Sequence, residues 1–234
     1  MIVAILQARM SSTRLPGKVM KPLLGVPMIG RQLERLQRAT SLDRLIVATS
    51  VKDDDTPLAT YVASLGVPVH RGPLHDVLSR FHGAAMENEA DHIVRLTADC
   101  PLADWKLIDE VVRHHLQSGA DYTSNAVLRT YPDGLDVEVM TRRALDSAWS
   151  EAAAPVEREH VTPFIHQNPQ RFQLAHVTQE PNLEHVRWTV DNPADFAFVE
   201  AVYGTLYPVN PAFDSADIHD FEAAHPKLSV TVLP

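Results

Sequence analysis

MIVAILQARMSSTRLPGK, residues 1–18, opens the chain and decides how the rest is read. Its first eight residues, Met1 to Ala8, form a short apolar run, the pattern of a strand buried on both faces of a parallel sheet. The remainder gathers three cations (Arg9, Arg14, Lys18), three hydroxyls (Ser11, Ser12, Thr13) and Gly17 within ten residues. A loop at the carboxyl end of a first strand is where open α/β sheets bind ligands. This composition suits charge-assisted hydrogen bonds to a polyphosphate; a solvated basic loop is the plainer alternative.

Working outward, short β-branched runs recur at 44–49, 67–70 and 92–97, separated by helical patterns, so the first half reads as successive βαβ units. Ile29, Leu33 and Leu36 make one helical stripe, Val77, Leu78, Phe81, Ala84 and Ala85 a second, and Ile108, Val111, Val112 and Leu116 a third. Gly119 follows where a C-terminal glycine is favoured. The second half is less regular. Tyr131-Pro132-Asp133-Gly134 signals a turn, and Leu135 to Met140 alternates like a strand with one wet face. Residues 141–167 read as helical, 172–178 and 186–190 as strands, and 194–206 and 216–224 as closing helices.

With 234 residues, 45% hydrophobic and 22% charged, the chain is expected to form one substantial core, a single domain spanning 1–234 with an insertion. A net charge of −9 speaks against a broad nucleic-acid-binding face but not against a small anionic ligand met by clustered cations. The longest apolar runs fall far short of the ~20 residues of a membrane span, and no secretory leader pattern is evident, so a cytoplasmic protein with no membrane partner is expected. A single cysteine, Cys100, excludes an internal disulfide framework, and the 12 histidines show no zinc spacing.

Familiar phosphate loops are absent: G-x-G-x-x-G does not occur, and the G-x-x-x-x-G from Gly25 to Gly30 is followed by Arg31-Gln32. Instead, A-R-M-S-S-T-R-L-P-G-K-x-x-K-P-L, from Ala8 to Leu23, resembles the signature loop of cytidylyltransferases that make CMP-activated sugar acids, the CMP-KDO and CMP-sialic acid synthetases. Val94 to Leu102 (VRLTADCPL) and Tyr131 to Glu138 (YPDGLDVE) bring it nearest the SpsF-like spore-coat polysaccharide branch. The resemblance runs from residue 1 to about 224. It implies an α/β nucleotidyltransferase fold of the nucleotide-diphospho-sugar transferase type, three-layer αβα and Rossmann-like, with a mixed, mainly parallel sheet. It further implies CTP as donor, Mg²⁺, a small anionic sugar acceptor, and a homodimer formed through an inserted sugar-binding segment at 129–180.

Carried over by motif, Leu6, Ala8 and Arg9 line the cytosine and ribose end, and Ser12, Arg14 and Lys18 hold the triphosphate. Lys21 matches a further basic position, with a solvated helix-entry lysine as the alternative. Arg71, Asp76, Arg80 and Thr97 are expected near the nucleotide; a cap role for Asp76 and a surface pairing for Arg80 compete. Asp99 and Asp191 are the implied Mg²⁺ ligands, since Mg²⁺ favours one or two carboxylates with phosphate oxygens and water. Asp99 could instead cap the following helix, and Asp195 reads as a first-turn acid favoured by the helix dipole. The acceptor side is expected to include Asn125, Asp133, Asp136, Glu138, Arg158, Glu159 and His160, with Arg158 or Arg129 meeting its carboxylate. His160 could be a general base or a polar core residue, and Cys100 a small buried hydrophobe.

Two other readings compete. A glycosyltransferase on a similar fold would bind metal through an Asp-x-Asp pair, found here only at Asp53-Asp54-Asp55. A catalytically silent nucleotide-binding subunit has no need to retain Lys18, Asp99 and Asp191.

Overall fold

The computed structural model describes residues 1–231. Its centre is a seven-stranded sheet built from β1 (Ile2–Gln7), β4 (Arg44–Ser50), β5 (Val69–Gly72), β6 (His92–Thr97), β7 (Tyr122–Ser124), β8 (Glu138–Thr141) and β9 (Leu174–His176). The order is β5-β4-β1-β6-β8-β7-β9, with β8 antiparallel to both its neighbours and the other pairings parallel. A separate hairpin pairs β2 (Pro22–Leu23) with β3 (Val26–Pro27).

Alternation along β1 explains the three layers, because successive side chains leave a strand on opposite faces. Ala4 and Leu6 join one apolar core with α1 (Met28–Leu36), α2 (Thr56–Ser64), α4 (Trp105–Ser118), α8 (Pro193–Leu206) and α9 (Ser215–Ala224). Val3 and Ile5 join another with α3 (Val77–Glu87), α5 (Arg142–Glu151) and α7 (Pro163–His166). Each core side chain fully removed from water contributes roughly 1.5–3 kcal/mol. The outcome is the expected mainly parallel αβα fold.

Several boundaries differ from the sequence reading. The strand expected at 67–70 runs from Val69 to Gly72, since Pro68 lacks an N–H and meets Val47 only through its carbonyl. Residues 141–167 break into α5, α6 (Pro155–His160) and α7, with Pro155 and Pro163 each starting a new helix. Residues 186–190 are extended but are not a sheet strand; bridges from Val186 to Thr231 and from Arg187 to Asp133 hold them. The strand read at 172–178 shortens to β9, and β7 was not anticipated. The segment 129–180 contributes β8 and β9 to the central sheet.

Candidate active site

At the carboxyl ends of β1 and β6, Gln7 pairs with Thr97 and a cavity of about 380 Å³ opens beside them, within the ~300–1,000 Å³ typical of small-molecule sites. It is lined by Arg9, Ser11 to Arg14 and Lys18 from the loop, by Asp99 and Asp191, and by Val77, Arg80, Arg95, Thr97, Glu159 and His160.

Backbone bonds shape the loop. The Met10 carbonyl accepts from Ser12 N at 2.9 Å and Gly17 N at 3.1 Å, while Met10 N donates to Asp55 Oδ1 at 2.7 Å. Gly17, at φ 67°, takes the left-handed conformation that starts a short 3₁₀ turn, Lys18–Met20, and Lys18 is buried there. Asp55 is 2% exposed and also accepts from the Ser50 amide and hydroxyl. Its carboxylate pins the basic loop, which removes the Asp-x-Asp metal pair that a glycosyltransferase reading needs.

Lys18 unites the site. Its Nζ donates to the Val190 carbonyl at 2.6 Å and to Asp191 Oδ1 at 3.1 Å, and lies 3.5 Å from Asp99 Oδ2. The two acid-bearing segments are stitched together directly, since Val190 N at 2.7 Å and Thr189 Oγ1 at 3.2 Å both donate to the Asp99 carbonyl. Asp191 Oδ2 is further met by Arg14 Nη2 at 2.9 Å and Arg187 Nη2 at 2.8 Å. Burial works against the Asp191 charge, but Lys18, Arg187 and Arg14 outweigh it and lower its pKa.

The alternatives for the acids resolve residue by residue. Asp104, not Asp99, caps α4 by accepting from Lys106 N at 2.8 Å, so Asp99 is left facing the cavity. Asp195 accepts from Asp191 N at 2.7 Å and Asn192 N at 2.9 Å in a capping box, and pairs with Arg187. Its role is to fix the backbone that carries Asp191. Among the described residues no cluster of three or more His, Cys, Asp or Glu could hold a metal alone. Two carboxylates converging on one ammonium instead fit a cation shared with a phosphate-bearing ligand.

Other expected contacts fall outside the cavity. Asp76 caps α3 through Ser79 N at 3.0 Å and is gripped by Arg158 through Nε at 3.1 Å and Nη2 at 2.6 Å. Both side chains are thereby engaged with each other. Arg71 donates to the carbonyls of Ser50 at 2.9 Å and Lys52 at 2.8 Å. Arg129 forks onto Asp136 at 2.6 and 2.8 Å, and Asp133 lies between Arg129 and Arg187. Burial, then repulsion from Asp136, raises the Asp133 pKa. Buried Asn125 clamps the turn, its Nδ2 donating to the Leu135 carbonyl and its Oδ1 accepting from Val137 N, each at 2.8 Å. Leu6 is fully buried in the core, so only its backbone can approach a ligand.

Arg80 is 1% exposed, donates to the Pro73 carbonyl at 2.9 Å, and has its pKa lowered to about 10, chiefly by burial and then by Arg9. His160 is exposed and lines the cavity beside Glu159, which removes the polar-core alternative. Gln7 Oε1, Arg80 Nε and Arg95 Nε are buried without a hydrogen-bond partner among the described residues. Such orphans are uncommon in native folds. Arg95 and Arg187 are site residues the sequence reading does not single out; Arg95 stands inside the Val94 to Leu102 motif, and Arg187 precedes Asp191 and Asp195 by four and eight residues.

Next to His160, Val161 has φ 72° and ψ −52° and is fully buried, while Thr162 N donates to the His160 carbonyl at 2.8 Å. This is the strained, positive-φ form of the γ-turn, which costs about 1–3 kcal/mol and concentrates at functional sites.

A cytidylyltransferase family model matches residues 3–205. The Methanocaldococcus jannaschii protein MJ1063 is 41% identical over 231 residues, covering 97% of this chain and 92% of its own. The spore coat polysaccharide biosynthesis protein SpsF of Bacillus subtilis is 32% identical over 209 residues, 86% of each chain. A solved cytidylyltransferase from Leptospira borgpetersenii superimposes with a TM-score of 0.93 at 30% identity, covering 100% of this chain and 99% of that one.

Proposed function

Because the chain belongs to the cytidylyltransferase family, we propose that this nucleotidyl-transferring enzyme joins CMP from CTP to a hydroxyl of a sugar acid and releases pyrophosphate. The observation that carries this reading is the meeting of Arg14, Lys18, Asp99 and Asp191 at one edge of a single cavity.

Phosphoryl transfer needs little covalent chemistry from protein; positioning and charge neutralisation supply most of the catalysis. Ser12, Arg14 and Lys18 hold the triphosphate, with Arg14 acting as a fork and Lys18 as a point charge. Asp99 and Asp191 would hold Mg²⁺, which when bound polarises phosphate oxygens and neutralises the leaving pyrophosphate. Lys18 and Arg14, now paired with these acids, then turn their charge toward the phosphates. The Leu6 and Ala8 backbone, with Thr97 and Arg80, borders the nucleoside, and His160 lies on the cavity wall as the ring able to take the acceptor's proton.

Thermal unfolding with Mg²⁺ and each of CTP, UTP, ATP and GTP tests donor choice. Greater stabilisation by CTP is expected; equal shifts for all four contradict it.

The kinship with SpsF supports a place in surface polysaccharide assembly. Use of CTP as donor favours a cytoplasmic enzyme; no helix among the described residues is long and apolar enough to cross a membrane. Trp149 and Val156, 43% and 53% exposed within 129–180, support a two-fold contact there. Light scattering at micromolar concentration should return twice the 26.0 kDa chain mass; a monomer contradicts the dimer.

A further inference from the structure

We propose that Arg95 anchors the carboxylate of the acceptor and that buried Glu138 serves to aim it. The inference rests on the sugar-acid reading above and names the side chain that recognises the acid.

The geometry begins with strand register. Arg95 on β6 sits directly opposite Glu138 on β8, and its Nη1 donates to Glu138 Oε2. Glu138 is 6% exposed, and its other oxygen accepts from the Tyr122 hydroxyl and, at 2.7 Å, from the Thr162 hydroxyl. Burial alone would raise the Glu138 pKa; Arg95, Tyr122 and Thr162 reverse that and hold it ionised. A carboxylate fixed by donors from three elements is a rigid strut, and a guanidinium tied to it has one orientation. Because the fork is planar, the remaining edge suits a second carboxylate.

Placement says which ligand end it meets. Arg95 belongs to the strand on the β8 side of β1, whereas Arg80 follows β5 on the opposite side. The other arginines expected to receive the acid are engaged, Arg158 with Asp76 and Arg129 with Asp136. Arg95 lines the cavity, and its Nε has no partner among the described residues. The γ-turn at Val161 ties the two walls together. It sends the Thr162 hydroxyl inward to Glu138 and leaves Glu159 and His160 on the cavity.

The test compares wild type with the double variant Arg95→Met/Glu138→Gln, which leaves no unpaired buried charge and keeps an oxygen for Tyr122 and Thr162. Calorimetry measures binding of α,β-methylene-CTP, which cannot release pyrophosphate, and then of each of a panel of sugar acids, 3-deoxy-manno-octulosonate among them, to that complex with Mg²⁺. Nucleotide affinity is expected within about twofold of wild type, while the acid binds roughly tenfold or more weakly, the scale of a lost hydrogen bond to a charged group. A neutral octulose of the same skeleton should bind both proteins alike. If the double variant does not fold, Arg95→Lys, which keeps the ion pair but not the fork, is expected to show the same selective loss. Equal acid binding by wild type and variant overturns the anchor, as does a parallel loss of nucleotide affinity. Wild type that binds the nucleotide but no acid overturns the acceptor class itself, and the anchor with it.

Discussion

At the scale of single residues, Asp191 is a carboxylate held by three cations and, on the proposed reading, a ligand for Mg²⁺ as well. Arg187 keeps Asp195 if Asp191 loses its charge. Asp191→Asn should therefore fold with little loss, and Asp99→Asn likewise, because Asp104 does the capping. Turnover should fall by orders of magnitude in both, the scale of electrostatic groups worth ~3–4 kcal/mol. Melting temperature and CTP turnover measured together check this; a loss of ~1 kcal/mol with activity retained is the signature of a mere cap. Lys18, Asp99 and Asp191, which the fold brings together, were legible because each falls within a contiguous motif of the sequence. Arg95 was not, since its role depends on Glu138, which only the folded sheet brings near, and Arg187 was not, since its contacts to Asp191 and Asp195 arise in an irregular segment with no period to reveal them.

Among the elements, the turn at Asp133-Gly134 governs where Asp191 stands. Gly134 has φ 117°, and a Cβ there would lie 2.6 Å from Thr189 N and 2.7 Å from the Trp188 carbonyl carbon. The same turn accepts from Trp188 N at 2.6 Å and Thr189 N at 3.0 Å through the Asp133 carbonyl. Gly134→Ala is expected to cost more than ~1–3 kcal/mol, since both overpacking and a disfavoured φ act, and to weaken CTP binding by displacing residues 188–191. Denaturant unfolding and nucleotide titration test the two effects. β1, β4 and β6 were readable because strands covered on both faces give short runs rich in β-branched and aliphatic residues. The run at 186–190 has that same look but earns its extended shape from the turn and from Asp99. Three-residue β7 is too short to show any period.

For the whole molecule, stability should depend on pH through His115, which bonds Thr123 Oγ1 and His92 Nδ1 at 3.0 Å each inside the fold. Burial, then His92, lowers its pKa to about 4 from an ordinary 6.5. The unfolded chain thus binds a proton near pH 6.5 that the fold resists, so stability is full above that value and falls as pH drops toward 4. His115→Gln should flatten this slope in denaturant unfolding at pH 7 and pH 5; an unchanged slope refutes the assignment. On the proposed reading, the fold sets a basic triphosphate-binding loop, two acids and an acceptor wall around one cavity. Pyrophosphate release tests that claim most directly, with CTP, Mg²⁺ and a panel of sugar acids and matched neutral sugars. Release that requires both CTP and an acid, with CMP joined to that acid, is the predicted result. Release from CTP alone, or none with any acid by an enzyme that binds CTP, would contradict it.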